Sequence, residues 1–326
     1  MCSIALTTRK DTLTEMKKIH ASAINHKISH GQKLFVKECT DIYNEKIRAV
    51  ADEIARNRND KPIILLAGPS GAGKTTTAFK VDEALEKMGI HTHTISMDDY
   101  FLPATMFTET LNEHGKPDYE SPYRIDIDKL NTHMEMISRC EEVVVPNFQF
   151  ATQTVSDGYQ LKRAKDDVII FEGIHALNPL VTGAAGDFAK CMYVSVRSRI
   201  ELSDGSLCHP SLVRLMRRII RDGLYRGRSV SDTLDMFDSV EAGENKYIMP
   251  FKHRAELSVD TFIPYEVAVY KNYLLEKLDE QKVTYDDFDR FMPMLRALKE
   301  IDSIFPEFVP SDSLVREFIG GSSYEY

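Results

Sequence analysis

The sequence predicts an α/β protein, a mostly parallel sheet with helices on both faces. Three observations carry that prediction. From residue 62 onward, short apolar runs alternate with helix-like stretches, as in strands buried on both faces and joined by crossover helices. The first run, Pro62-Ile63-Ile64-Leu65-Leu66, leads into Gly68-Pro69-Ser70-Gly71-Ala72-Gly73-Lys74-Thr75, which fits G-x-x-x-x-G-K-[ST] without a mismatch. Asp98 and Glu172 close two further runs, at strand carboxyl ends, where such sheets hold their ligands.

Bulk properties narrow the class. With 326 residues, 43% hydrophobic and 28% charged, the chain suits one large globular domain or two smaller ones. A net charge of −9 argues against broad nucleic-acid binding, so any anion site must be a local basic cluster. The cysteines (Cys2, Cys39, Cys140, Cys191, Cys208) are scattered without a C-x-x-C, which suggests neither zinc nor a disulfide framework and fits a reduced, cytoplasmic setting. The first ten residues lack the apolar core of a signal peptide, and no run approaches the ~18 apolar residues of a membrane span, so no membrane partner is expected.

In chain order, residues 11–58 read as polar helix, with a capping box at Thr12-Leu13-Thr14-Glu15 and an apolar stripe at Ile42, Ile47, Val50, Ala51, Ile54 and Ala55. His20, His26 and His30 are spaced too loosely for a convincing metal site and read as solvated helix positions. A polar hinge at 56–62 precedes the first core strand. Strands are expected at 93–97, 167–173, 191–196 and 257–262. A β-hairpin is expected over about 142–163, turning at Asp157-Gly158. Helix resumes after Tyr265. The predicted organisation is an N-terminal helical extension (1–58), a phosphate-binding core (59–275) and a C-terminal helical extension (276–326). The extensions could pack on the core or make a subunit interface, which would give a homo-oligomer.

The glycine-rich stretch specifies a P-loop NTPase-type core. Gly68, Gly71 and Gly73 let the backbone turn so that successive N–H groups face phosphate oxygens, and the following helix adds its dipole. Gly68, Pro69, Ser70, Gly71, Ala72, Gly73, Lys74, Thr75 and Thr76 are the expected nucleotide-binding set. Lys74 would reach the β- and γ-phosphates, and the Thr75 hydroxyl would ligate Mg²⁺. Asp98, at a strand end beside this loop, is placed to accept a hydroxyl proton during phosphoryl transfer. An N-cap or a ligand to a Mg²⁺-bound water is the alternative, a role that Asp99 could also take. A buried carboxylate at Glu172 would be stabilised by Mg²⁺, directly or through water, or by a structural hydrogen bond. Arg214, Arg217, Arg218 and Arg221 follow i, i+3, i+4, i+7 spacing, and Arg226 and Arg228 follow. Their mutual repulsion suggests that this face meets an anion, as a lid over about 212–230 would, or else is a solvated basic helix. Asp118 and Asp126 suit either sugar hydroxyls or a turn.

The motif set resembles the uridine kinase and phosphoribulokinase family of P-loop kinases, over about residues 40–326. It comprises Gly68 to Thr75, Ser96-Met97-Asp98-Asp99-Tyr100-Phe101, Phe171-Glu172-Gly173-Ile174-His175-Ala176-Leu177-Asn178-Pro179, Arg217-Arg218-Ile219-Ile220-Arg221-Asp222 and Arg226-Gly227-Arg228. Ser239 to Phe251, Pro264-Tyr265-Glu266 and the closing Arg316-Glu317-Phe318-Ile319-Gly320-Gly321-Ser322 resemble the bacterial-type nucleoside kinases of that family, without their front TGS-type domain. The resemblance implies ATP and Mg²⁺. It makes Asp98 the base, acting with Lys74 and Arg221, and puts Thr75 and Glu172 at the metal. Asp118 and Arg218 hold the nucleoside sugar, Tyr100 lies at the substrate, and Arg221, Arg226 and Arg228 meet the phosphates. In the family the hairpin carries a tyrosine and a histidine against the pyrimidine base. Here Phe148 and Gln153 stand at those places, able to stack and to hydrogen-bond respectively. An aspartate usual before the arginine helix is absent from Cys208-His209-Pro210-Ser211.

The expected activity is transfer of the γ-phosphate to the 5′-hydroxyl of uridine or cytidine. The alternatives are a kinase of a non-nucleoside alcohol (a phosphosugar, pantothenate or glycerate) and a nucleotide-binding regulatory protein without catalysis.

Overall fold

The computed structural model describes residues 17–106, 118 and 120–326; the capping box at 12–15 lies outside them. The chain begins with β1 (Lys18–His20), α1 (Ala21–Ser29) and α2 (Gln32–Asn57), then enters the core at β2 (Ile63–Ala67), the P-loop and α3 (Lys74–Glu86). β3 (Thr92–Ser96), α4 (Ile127–Ser138), the hairpin β4 (Glu142–Gln149) and β5 (Thr154–Lys162), and β6 (Val168–Glu172) follow. Next come α5 (Pro179–Thr182), β7 (Ala189–Ser195), β8 (Arg199–Glu201), β9 (Leu207–Cys208), α6 (Pro210–Tyr225), α7 (Val230–Asp235), α8 (Phe237–Tyr247) and β10 (Leu257–Asp260). The described chain closes with α9 (Glu266–Thr284), α10 (Met292–Glu300) and α11 (Arg316–Ile319).

Five strands form one all-parallel sheet in the order β10-β7-β2-β6-β3. Strand alternation divides its side chains between two cores. Ile64 and Leu66 of β2 point into the larger one, with α2, α3, α6, α9 and α10; Ile63, Leu65 and Ala67 point into the other, with α4, α5 and the hairpin. This is the three-layer α/β architecture that the alternating runs predict.

Both terminal helical regions pack on this core. Phe35, Tyr43, Ile47 and Ile54 of α2 and Leu295, Leu298 and Phe318 near the end share one buried cluster with α3 and α6. The expected boundary at 275/276 falls inside α9, whose Val269, Leu274 and Leu278 are continuous in that cluster. The hairpin has the expected extent, but its turn lies at 150–153. There Gln153 takes φ +54° and its N–H bonds the Gln149 carbonyl at 2.7 Å. Asp157-Gly158 is instead in β5, opposite a register shift at Val145/Pro146. A Cβ on Gly158 would lie 2.7 Å from the Val145 carbonyl oxygen, so its glycine answers to a close strand approach and not to a turn.

Candidate active site

The P-loop follows the carboxyl end of β2, the central strand. Gly71 and Gly73 adopt φ +75° and +80°, which admit glycine and strain other residues. Gly68 is pressed against β7: a Cβ there would lie 2.3 Å from the Val194 carbonyl oxygen. The first turn of α3 has Gly73 as its N-cap, with no side-chain cap and no acidic residue of its own, so the dipole of α3 points at the loop. Gly68 to Lys74 thus form a cradle suited to phosphate. Lys74 and Thr75 are partly buried at its end. Thr76 is fully buried: its hydroxyl donates to Glu317 Oε2 at 2.5 Å and lies 3.0 Å from the Tyr326 hydroxyl.

The arginine helix is not a detached cationic face. α6 starts at Pro210, with His209 as N-cap accepting from the Ser211 N–H at 3.3 Å. Its arginines then grip the P-loop. Arg214 donates to the Ser70 carbonyl at 3.1 Å and pairs with Glu244 at 2.6 Å. Arg217 donates to the Gly71 carbonyl at 3.0 Å, and Arg218 donates to the Ser70 hydroxyl. The repulsion inferred from their spacing is relieved by the carboxylates of Glu244 and Glu266, and Arg214 and Arg217 are held in contacts within the protein. Burial pushes the Arg218 pKa down to about 10, against the raising effect of Asp222. Asp222 has no exposed surface and stands among Arg226 (3.2 Å), Arg221 (3.5 Å), Arg228 (3.5 Å) and Arg218 (3.9 Å). Arg226 and Arg228 are more open to solvent than Arg221.

Asp98 and Glu172 stand at the ends of neighbouring strands, Ser96 of β3 pairing in register with Glu172, and the Lys74 charge acts on both. Asp98 begins the turn after β3, with its N–H bonded to the Ser96 hydroxyl at 3.3 Å. Burial raises its pKa while Lys74, Arg226 and Arg124 pull it down. Burial pushes Glu172 up to about 7; Lys74 opposes this, and the Asp98 charge adds to it. Two desolvated carboxylates beside one ammonium favour a further cation. No cluster of three or more His, Cys, Asp or Glu side chains among the described residues could hold a metal alone. Thr75 and Glu172 are the residues that would hold Mg²⁺, which would bring charge compensation to the buried carboxylate. Asp99 is otherwise engaged, since its carboxylate accepts the Phe148 N–H at 3.4 Å.

The acceptor side departs most from the sequence-based expectations. Asp118 is committed to α8: the Tyr247 hydroxyl donates to it at 2.7 Å, and Lys246 lies 3.7 Å away. Glu120 is the carboxylate exposed to the charges of Arg218, Lys74 and Asp98, and its pKa is raised by burial. Gly243 makes room for it, because a Cβ there would fall 2.5 Å from the Glu120 Cβ. Asp126 takes the local role, N-capping α4 through the Lys129 N–H at 3.1 Å. Tyr100 is 1% exposed and bonded to His133 Nδ1 at 3.0 Å, so it belongs to the core. Its neighbour Phe101 lies under the Arg124 guanidinium, 5.3 Å from its ring centroid. Phe148 is 4% exposed and packs edge-on between Phe101 (5.5 Å) and Phe150 (5.1 Å), which leaves little ring face for a base. Gln153 donates to the Phe150 carbonyl at 2.8 Å and accepts from Arg124 at 3.3 Å. Glu120, Phe101 and Arg124, not singled out from the sequence, are brought into this neighbourhood by the fold. Glu120, two residues from Asp118 in the same acidic stretch, left a signal, but spacing alone could not choose between the two carboxylates.

The sequence profile of the Phosphoribulokinase / Uridine kinase family matches residues 63–268, more than half of the chain and all five strands of the central sheet. The chain belongs to this family of P-loop kinases. It is similar to the uridine kinases of Staphylococcus aureus strains JH9 and Newman, each 30% identical over 198 residues that span 60% of this chain and 86% of the relative. Among solved structures, a D-glycerate 3-kinase from Cryptococcus neoformans var. grubii aligns with TM-score 0.34 and 14% identity, over 81% of this chain and 89% of that one. Family membership accounts for the P-loop in this kinase. The matched stretch ends at residue 268, so α10, α11 and the closing segment lie beyond it.

Proposed function

We propose that this kinase transfers the γ-phosphate of ATP to the 5′-hydroxyl of a nucleoside, uridine or cytidine. The observation that carries the reading is the P-loop with Arg217 and Arg218 bonded to its Gly71 and Ser70, together with the charges of Asp98 and Glu120, on which Lys74 acts. The acceptor oxygen attacks the γ-phosphorus and the bond from that phosphorus to the β–γ bridging oxygen breaks. The hydroxyl proton passes to Asp98, whose pKa burial raises, making it a stronger proton acceptor, while Lys74, Arg226 and Arg124 partly oppose that rise. Lys74 and Arg221, Arg226 and Arg228 balance charge on the transferring group. Mg²⁺, when bound at Thr75 and Glu172, neutralises phosphate charge. Glu120 and Arg218 would orient the acceptor by bonding two of its other hydroxyls, the task first assigned to Asp118.

The hairpin favours a second reading, a kinase of a smaller alcohol such as a phosphosugar, pantothenate or glycerate. Phe148 and Gln153 are both occupied within the protein, so neither is free to read a base without rearrangement. Loss of catalysis is the least favoured reading, because the sequence retains Lys74, Asp98, Glu172, Arg221, Arg226 and Arg228. A cytoplasmic setting with small-molecule partners, and no nucleic acid, fits the acidic charge and the scattered thiols. No helix among the described residues is long and apolar enough to cross a membrane. Turnover of a panel of nucleosides and simple alcohols with ATP and Mg²⁺ tests the proposal. Phosphorylation of uridine or cytidine supports it, turnover of other alcohols alone selects the second reading, and nucleotide binding without turnover the third.

A further inference from the structure

The closing segment lies outside the part of the chain matched to the family, yet it is built onto the P-loop. Leu314 packs so tightly against Gly73 that a Cβ there would lie 2.5 Å from it. Asp312 pairs with Lys80 at 2.7 Å. The Glu317 carboxylate accepts from both the hydroxyl and the N–H of Thr76, at 2.5 and 3.4 Å, and so caps α3 from outside where Gly73 has no side chain to do so. Arg316 pins the segment through the carbonyls of Val309 (2.7 Å), Pro306 (2.9 Å) and Gly320 (3.2 Å). Beyond Gly320 the chain turns through two positive-φ glycines, Gly320 at +85° and Gly321 at +70°. It returns to place the Tyr326 hydroxyl 3.0 Å from that of Thr76, while Tyr324 stacks on Phe79 with ring centroids 5.3 Å apart.

Geometry fixes what lies beside this segment when a nucleotide is bound. Lys74 and Asp98 mark the γ end, and the first turn of α3, whose Thr76 N–H is held by Glu317 in the ligand-free chain, lies toward the α end. The nucleoside half of the donor must therefore leave the loop past Thr76, away from Glu120 and the acceptor. That exit is bordered by Tyr326 on the closing segment and Tyr225 at the end of α6. As whole residues Tyr326 and Tyr225 are 57% and 59% exposed. Tyr225 also braces the turn, since its hydroxyl sits 3.0 Å from where a Cβ on Gly320 would be. Two largely exposed tyrosines beside a phosphate cradle suit a purine base and its ribose.

We propose that residues 320–326, together with Tyr225, form the seat for the nucleoside half of the donor nucleotide. This rests on the kinase reading above. It gives the closing Gly-Gly-Ser-Ser-Tyr-Glu-Tyr stretch a role in donor recognition.

The test is calorimetric binding of ATP and of inorganic tripolyphosphate, without acceptor, to the unaltered chain and to Tyr225→Ala, Tyr326→Ala and the double variant. Tripolyphosphate reads the P-loop alone. The expected result is that ATP binding weakens roughly tenfold or more in the double variant, the loss of stacking on an aromatic face, while tripolyphosphate binding is unchanged. Unchanged ATP affinity overturns the inference. Tighter ATP binding overturns it too, because it would make the segment an obstacle to the nucleotide. Equal weakening of both ligands overturns it as simple damage to the P-loop. Failure of the unaltered chain to bind either ligand overturns the kinase reading, and the seat with it.

Discussion

Arg217 and Glu266 form a two-pronged ion pair with no exposed surface, Nε to Oε2 at 2.7 Å and Nη2 to Oε1 at 3.0 Å. The same guanidinium donates to the carbonyls of Gly71 and Thr261, at 3.0 and 2.7 Å, so one side chain ties α6, the P-loop and the start of α9 together. Removing one partner of such a pair leaves a buried charge unmatched. Arg217→Met is expected to lower stability by about 3–5 kcal/mol, read from urea unfolding. An effect confined to the surface range of about 0–1 kcal/mol would mean that the pair is not buried in solution.

Asp98→Asn removes the proton acceptor and leaves the P-loop intact. ATP affinity should be unchanged while turnover falls by roughly 10²–10⁴-fold. Near-normal turnover would remove Asp98 from the base role.

Glu120 and Asp118 are distinguished by their partners. Glu120→Gln should raise KM for the acceptor by roughly tenfold, the loss of a charged hydrogen bond, with KM for ATP little changed. Asp118→Asn should act mainly through the Tyr247 contact and lower thermal stability. Steady-state kinetics of both variants beside their melting temperatures check the assignment, and the reverse pattern would restore Asp118 to the sugar.

Glu172 carries a pH signature. Its folded pKa of about 7 lies above the ordinary 4.5, so in the ligand-free protein the group is harder to ionise than in the unfolded chain. Below about 4.5 it is neutral in both states and has no effect. As pH rises from 4.5 to 7 the unfolded chain ionises first, and stability falls until the full cost is reached above 7. Glu172→Gln should therefore raise the melting temperature of the ligand-free kinase at pH 8, and the gain should shrink to nothing near pH 4.5. A gain independent of pH would show that burial of the charge is not the cause.

Much of this molecule was legible in its sequence. Period and composition found the five sheet strands, because parallel strands buried on both faces are apolar runs with few alternatives. The P-loop was legible because its glycines are demanded by backbone geometry, which no distant contact can supply. The acceptor side was not. Proposing Glu120 rather than Asp118 depends on Tyr247, far away in sequence, reaching back to Asp118, and the burial of Tyr100 goes with its bond to His133. The arginine helix showed the same limit: spacing revealed the cationic stripe but not the carboxylates of Glu244 and Glu266 that neutralise it. The hairpin turn was misplaced for a related reason, since Gly158 serves a strand crossing that only the register reveals.

The most direct measurement is product analysis after incubating the full chain with ATP, Mg²⁺ and uridine or cytidine. The account predicts a nucleoside 5′-monophosphate formed in equal amount with ADP. ADP released with both nucleosides left unmodified would contradict it.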